Sequence, residues 1–247
     1  MVRSVRFALV ALALLALEAC SGRYALPNGA TSQALVMHQD WTIFFYAGLA
    51  VAVIVGALIL IPLVAWRRRD DTYPPQFRRN YRWEFVYTGI PVVMVIALFA
   101  LTYVDEGIVQ HVRMHPANRV HVSAFRWSWE FQYPSHGIDI IGTPNQPPQL
   151  VLPINETTQI YLTSRDVNHD FWIPAFLFKR DAIAGVNNYF DLRPIRLGVF
   201  SGECAVFCGL DHAHMTFTVR VVSQEEYARW LRSGGSPTAL SASGTAS

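Results

Sequence analysis

The sequence has 247 residues, of which 52% are hydrophobic and only 15% are charged, a balance more apolar than that of an ordinary soluble domain. The formal net charge of +2 is small, and the arginines are concentrated in one short loop, so the sequence gives no reason to expect nucleic acid as a partner. The three cysteines exclude a fully paired disulfide framework, because their number is odd.

The first twenty residues are typical of an export signal. Two arginines precede an apolar run from Phe7 to Leu17, which is too short to span a bilayer. The tetrapeptide that ends at Cys20 resembles a bacterial lipobox, with Glu18 where a small residue is usual. We therefore predict a signal peptide over 1–20 with lipidation of Cys20, followed by an exported linker over 21–40. An ordinary cleaved signal and a retained free cysteine stay open as alternatives.

Two uncharged apolar runs follow, from Trp41 to Trp66 and from Phe85 to Val104. At about 1.5 Å per residue, each is long enough to cross a hydrocarbon core of about 30 Å. The intervening segment carries six arginines against two aspartates, and arginine in a short loop stays in the cytoplasm. The pattern predicts a transmembrane hairpin over 41–105 with an Arg-rich cytoplasmic loop over 67–82, so that both ends of the chain lie outside.

The exported part, residues 106–233, contains short runs of alternating or β-branched residues between turn-forming residues. Several short strands at this spacing predict a sandwich or barrel. A capping-box pattern at Ser223 and Glu226 predicts a short helix, and the segment 234–247 has the composition of a disordered tail. The predicted strands cover Val120–Trp129, Ile138–Ile141, Gln149–Leu152, Gln159–Thr163, Asn188–Leu192 and Phe217–Val222.

One loop carries the most specific chemical pattern, Cys204-x3-Cys208-x3-His212-x2-Met215. Thiolates, imidazole and thioether are soft or borderline ligands, a set that selects copper over magnesium or calcium. Two cysteines can bridge two metal ions, and such a pair can share one electron with little change in geometry. Zinc is an alternative, although this spacing is not common for zinc and zinc gains little from methionine. A Cys204–Cys208 disulfide is another alternative, which would leave the histidine and methionine unexplained.

These residues resemble the signature of subunit II of bacterial haem-copper cytochrome c oxidases, and the segment from Arg165 to Pro174 is similar to the one that supplies a further histidine in that family. The resemblance runs from the membrane hairpin to Val222. It implies an N-terminal two-helix transmembrane hairpin followed by an all-β cupredoxin-like Greek-key barrel on the outer face of a bacterial cell membrane. It further implies a dinuclear copper-A centre, whose ligands would be His169, Cys204, the backbone carbonyl of Val206, Cys208, His212 and Met215.

The resemblance implies roles for two further residues. Trp127 matches the tryptophan that receives electrons from cytochrome c, although Trp127 and Trp129 also suit the core or wall of a barrel. Glu84 matches the glutamate at the mouth of a proton pathway into subunit I, although it also suits an interfacial carboxylate. Val206 stands where the family usually has a glutamate that reaches a magnesium ion, and valine cannot ligate a hard cation through its side chain. We therefore expect the magnesium ligand to be lost.

The resemblance implies a respiratory cytochrome c oxidase subunit that relays electrons from a c-type cytochrome to haem in subunit I, where oxygen is reduced to water with proton translocation. The expected partners are subunit I, the other oxidase subunits, the donor and membrane lipid. No Cys-x-x-Cys-His motif is present, so we expect no haem on this chain. Three rival functions remain: the copper-A subunit of a nitric oxide reductase, the copper-free scaffold of a quinol oxidase, and a membrane-tethered copper chaperone.

From Glu106 to Arg232 the chain carries twelve acidic and eleven basic residues. This near-balance predicts weak long-range attraction for a charged donor, unless folding segregates the charges.

Overall fold

The computed structural model describes residues 26–66, 70–71, 73, 76 and 78–240. The predicted export signal with Cys20, residues 67–69 of the Arg-rich loop and residues 241–247 lie outside the described residues.

Two long helices, α1 (Ser32–Ala65) and α2 (Tyr81–Val109), contact each other and precede the β-strands. Both are long and apolar enough to cross a membrane. The helix α1 begins earlier than the predicted span, inside the segment expected to be a linker, because the Thr31 hydroxyl accepts a hydrogen bond from the Ala34 amide at 3.1 Å. This contact satisfies one of the free amides of the first turn and so stabilises the helix start.

Ten strands lie within the described residues, and they form two five-stranded sheets. In the first sheet the order is β3-β2-β1-β5-β8, and in the second it is β4-β10-β9-β6-β7. The pairs β1/β5 and β4/β10 are parallel, whereas the remaining pairs are antiparallel. The strands are β1 (Asn118–Phe125), β2 (Ser128–Tyr133), β3 (Ile138–Ile141), β4 (Gln149–Pro153), β5 (Thr158–Ser164), β6 (His169–Ile173), β7 (Phe178–Ala182), β8 (Asn188–Leu192), β9 (Gly198–Cys204) and β10 (Thr216–Val222).

An aromatic core lies between the sheets. Phe217 stacks on Phe171 with ring centroids 4.8 Å apart, and Trp129 meets both rings edge-on. These side chains come from β2, β6 and β10, so the same cluster joins the two sheets. Apolar burial of this kind is the main favourable contribution to folding.

The outer ends of both helices are bonded to the β-domain near the end of β8. The Ser32 amide donates to the Arg193 carbonyl at 3.0 Å, and Thr31 forms a β-bridge with Pro194. After α2, the Arg113 amide donates to the Asp191 carboxylate at 3.0 Å. The domain is therefore tied to the hairpin at two places.

The short helix α3 (Gln224–Arg232) closes the domain. The Ser223 hydroxyl accepts a hydrogen bond from the Glu226 amide at 3.2 Å, as the capping pattern predicts. Beyond it the structure differs from the expected disordered tail, because residues 237–239 form a turn of 3₁₀ helix and Leu240 packs against the core. A single apolar residue without periodicity gives no signal for such a segment in the sequence.

Candidate metal centre

The connection between β9 and β10 holds all four residues of the soft-ligand pattern. Cys204 is the last residue of β9, and Met215 immediately precedes β10. The Cys204 amide donates to the Met215 carbonyl at 3.0 Å, which closes the base of the connection. Cys208 and His212 lie within the loop that this bond closes, so they are held above the end of the sheet.

Strand pairing brings His169 to this loop from a distant part of the sequence. In the antiparallel pair β6/β9, Phe171 stands opposite Cys204. His169 is two residues before Phe171, so it lies on the same face of the sheet, just beyond the end of β9. Its Nδ1 atom is 3.9 Å from Cys204 Sγ.

The two thiols face each other but are not bonded. Cys204 Sγ and Cys208 Sγ are 3.8 Å apart, far longer than a sulfur–sulfur bond of about 2.05 Å, and both cysteines are free. The alternative of a Cys204–Cys208 disulfide is therefore wrong for this structure. The separation leaves room for metal ions between the two sulfurs.

The other predicted donors surround the two sulfurs. The Val206 carbonyl oxygen is 3.3 Å from Cys204 Sγ. His212 Nδ1 lies 3.6 Å, and Met215 Sδ 3.8 Å, from Cys208 Sγ. The structure thus brings all six predicted donor atoms together. A single tetrahedral zinc ion takes four ligands, so six donors fit zinc less well than a pair of metal ions.

Burial shields the centre from water. Cys204, Cys208, His169 and Met215 are buried, and His212 is half-buried. The neighbouring His214 is not part of the cluster, because its side chain is 73% exposed and faces Asp211.

The two thiols have very different acidities. Burial acts to raise the pKa of the Cys204 thiol, but hydrogen bonding with His169 and with the backbone at Asp170 and Val206 lowers this pKa to about 7. Burial, reinforced by the neighbouring Cys204, raises the pKa of Cys208 to about 12. Near pH 7 the Cys204 thiol is therefore about half ionised while Cys208 stays protonated, and a metal must displace the protons that remain.

Asp166 orients His169 and has no counterpart among the residues predicted from the sequence. The His169 Nε2 atom lies 2.8 Å from Asp166 Oδ1. Donation from Nε2–H to Asp166 would hold the ring so that Nδ1, 3.9 Å from Cys204 Sγ, is the nitrogen that binds a metal once it has lost any proton it carries. Burial acts to raise the pKa of Asp166, but hydrogen bonds from His169, the Arg126 amide and the Val167 amide lower it to about 2. The spacing Asp-x-x-His was the available sequence signal.

Trp127 and Trp129, which flank the first residue of β2, have different environments. Trp129 is fully buried in the core, where its Nε1–H donates to the Met215 carbonyl at 3.4 Å. Trp127 is half-buried, and its Nε1–H donates to the Cys208 carbonyl at 3.3 Å. Of these two tryptophans, only Trp127 therefore combines access to solvent with contact to the loop between β9 and β10, residues 205–215, the metal loop.

Glu84 is not part of this cluster. It lies in the first turn of α2, at the opposite end of that helix from the β-domain, where its carboxylate accepts a hydrogen bond from the Asn80 amide at 3.4 Å.

Comparisons with known proteins agree with the geometry. A family model described as "Cytochrome C oxidase subunit II, periplasmic domain" matches residues 142–222. The probable cytochrome c oxidase subunit 2 of Streptomyces avermitilis is 35% identical over an alignment that covers 85% of this chain and 78% of that protein. The chain belongs to the cytochrome c oxidase subunit 2 family. The subunit 2 of Corynebacterium glutamicum is 28% identical, with 85% of this chain and 75% of that protein covered.

Among solved structures, the periplasmic domain of subunit II of the cytochrome oxidase of Bradyrhizobium japonicum is 30% identical, with a TM-score of 0.45. That comparison covers 49% of this chain and 94% of the other. Membership of the cytochrome c oxidase subunit 2 family confirms the recognition made from the loop pattern. It also agrees with the observed order of two apolar helices followed by an all-β cupredoxin-like domain.

Proposed function

We propose that this member of the subunit 2 family receives electrons for a respiratory cytochrome c oxidase in a bacterial cell membrane. It accepts them from a c-type cytochrome at a dinuclear copper-A centre and relays them to haem in subunit I, where oxygen is reduced to water with proton translocation. One observation carries the proposal: four donor atoms converge on two thiol sulfurs that lie 3.8 Å apart, which makes a cluster of six donors.

Five of the six donor atoms belong to the β9–β10 connection, and the sixth belongs to His169 on β6. The donors are the two thiol sulfurs, two imidazole nitrogens, a thioether sulfur and a carbonyl oxygen, a set suited to copper. When bound, the copper pair would take up one electron and share it between both metals. The chain contributes a rigid cage, because strand pairing and the Cys204–Met215 backbone bond hold the donors in place.

The surface around Trp127 favours a donor that docks without strong charge attraction. Arg126 beside it is about half exposed, but its guanidinium pairs with Asp166 at 3.3 Å. Arg165 pairs with the buried Glu130. These two ion pairs compensate the charges of Arg126 and Arg165, which supports a donor that docks without strong charge attraction.

Exposed apolar side chains of the metal loop form a suitable contact for subunit I. Phe207 is 80% exposed and Leu210 is 88% exposed, although both neighbour a buried centre. Phe207 also meets the His212 ring edge-on with centroids 5.9 Å apart. Large exposed apolar residues of this kind mark interaction surfaces. The outgoing electron would leave on this side, through His212.

Val206 bears on the subtype of the enzyme. Its carbonyl faces Cys204, whereas its partly exposed side chain offers no ligand for the magnesium ion that the family usually binds. We propose that this ion is absent or is held by subunit I alone. Because Val206 departs from the usual oxidase pattern, the copper-A subunit of a nitric oxide reductase is the second candidate function. Oxygen consumption and nitric oxide consumption by the purified complex separate the two.

Electron paramagnetic resonance of the purified complex tests the copper centre. Two copper ions that share one electron give a seven-line pattern, whereas a single copper gives four lines. A Cys208→Ser variant removes one bridging sulfur and is expected to lose the seven-line pattern. A four-line signal in the unmodified protein, or zinc in place of copper, would contradict the proposal. A copper chaperone or a scaffold would also fail to take electrons from a reduced c-type cytochrome.

A further inference from the structure

A glycine of the metal loop lies directly against the indole of Trp127. A Cβ atom added at Gly209 would stand 3.1 Å from Trp127 Nε1 and 3.2 Å from Cζ2. These distances are shorter than ordinary carbon contacts of about 3.5–4.0 Å. Gly209 also has a φ of +124°, a region that L-residues rarely adopt. Any side chain here would push the indole away from the loop.

This close approach connects the indole directly to Cys208, one of the two cysteines of the candidate metal centre. The Trp127 Nε1–H donates to the carbonyl of Cys208, the residue immediately before Gly209. From that carbonyl only covalent bonds of Cys208 lead to its sulfur. Trp129 makes the comparable bond to the Met215 carbonyl, but it is fully buried and cannot touch a donor.

We propose that Gly209 is a positioning residue for electron input, and that it acts by allowing the Trp127 indole to hydrogen-bond to the Cys208 carbonyl. The proposal rests on the proposed function. In the step concerned, the ferrous haem of the donor would lose one electron and become ferric, and an oxidised copper pair held by Cys204 and Cys208 would gain that electron. No bond forms or breaks, and no proton moves. Gly209 determines how closely the two partners are coupled, and it leaves the copper ligands unchanged.

The test uses the complete oxidase complex with Gly209→Ala, Trp127→Phe and the double variant. Trp127→Phe keeps an aromatic ring but removes the N–H donor, while the loop backbone is unaltered. Gly185→Ala is the matched control, because Gly185 also has a positive φ, +78°, but an added Cβ there meets no atom within 4 Å. For each variant we would measure reduction of copper by a reduced c-type cytochrome, reduction by a small chemical reductant, and the paramagnetic resonance spectrum.

We expect both single variants to slow reduction by the cytochrome at least about tenfold, equivalent to ~1.4 kcal/mol in the barrier. Reduction by the small reductant and the seven-line pattern are expected to match the unmodified complex. The double variant should be no slower than Trp127→Phe alone, because the two changes remove the same contact. Gly185→Ala should keep the full rate.

Full-rate reduction in either single variant would overturn the proposal, as would additive effects in the double variant. An altered copper spectrum in Gly209→Ala would also overturn the role proposed for Gly209, because the glycine would then act on the copper ligands and not on the indole. A full rate in Trp127→Phe with a normal spectrum would overturn the hydrogen-bonded route itself. Failure of the proposed function is recognised separately, because the unmodified complex would then lack the seven-line pattern or accept no electron from either reductant.

Discussion

Replacing Asp166 with asparagine is expected to weaken copper binding through His169. The carboxylate uses both oxygens: Oδ1 lies 2.8 Å from His169 Nε2, and Oδ2 accepts from the Arg126 amide at 2.8 Å. Asparagine has only one acceptor oxygen, so its NH₂ group must face either the imidazole N–H or the Arg126 amide. In either orientation two donors oppose each other, and one charge-assisted hydrogen bond is lost.

The size of the effect follows from that bond. A hydrogen bond to a charged group contributes about 1.5–3 kcal/mol. Loss of a group that orients a metal-bound histidine typically lowers metal affinity about 10–100-fold, which corresponds to ~1.4–2.7 kcal/mol. The two ranges overlap, so we expect Asp166→Asn to lose about 10–100-fold in copper affinity.

Copper titration of the full chain against a competing chelator measures this affinity. Asp139→Asn is the control, since it removes the same charge from an exposed carboxylate on β3. Asp166→Asn with unchanged affinity and an unchanged reduction potential would show that the carboxylate does not orient His169, and the reasoning would fail.

Three further results are expected. Copper loading should release about one proton at about pH 8 and at least about two at about pH 6, because the pKa values of Cys208 and Cys204 are about 12 and about 7. Calorimetry in buffers of different ionisation enthalpy measures this release, and equal release at both pH values would contradict the prediction. Gly202→Ala should lower the free energy of unfolding by about 1–3 kcal/mol in thermal denaturation, because the new Cβ would lie 2.3 Å from the Phe217 ring, whereas exposed Ser201→Ala should not. Glu84→Gln should slow oxygen reduction by the complex about tenfold without changing the copper spectrum. Glu106→Gln, at the other end of α2, should leave the rate unchanged, and equal rates in the two variants would show that Glu84 takes no part in proton uptake.

The sequence was most informative where hydrophobic spacing or ligand spacing was regular. The apolar runs predicted both helices, and five of the six predicted strand segments correspond closely to observed strands. The sixth, Val120–Trp129, is interrupted at Arg126 and Trp127, where the chain turns from β1 into β2. Periodicity does not reveal such a turn when it contains an aromatic residue.

Three strands, β6, β7 and β9, were not predicted from periodicity, and the sequences of β7 and β9 show why. β7 presents Phe178 and Ala182 to the core but has three charged residues between them. β9 contains Gly198 and Gly202, which lower its apparent strand propensity. Gly202 is required because the Phe217 ring of the neighbouring strand occupies the space above it, a contact between residues far apart in the sequence.

The metal loop was predictable because its donors are close in sequence, whereas the position of His169 depends on the pairing of β6 with β9. His169 could be assigned to the site only because the segment around it resembles the corresponding segment of the oxidase family. The role of Asp166 depends on an atomic contact that spacing alone did not identify.

The β-domain is bonded to the helical hairpin at two places, so it cannot swing as a domain on a single linker could. One linker would act as a hinge, but bonds at Ser32 and at Arg113 meet the same edge of the domain near Asp191. The position of the domain relative to the two apolar helices is therefore set at two points, by the outer ends of the helices. If electrons enter at Trp127, as proposed, the donor must dock where the helix ends hold Trp127, because the domain cannot swing towards the donor.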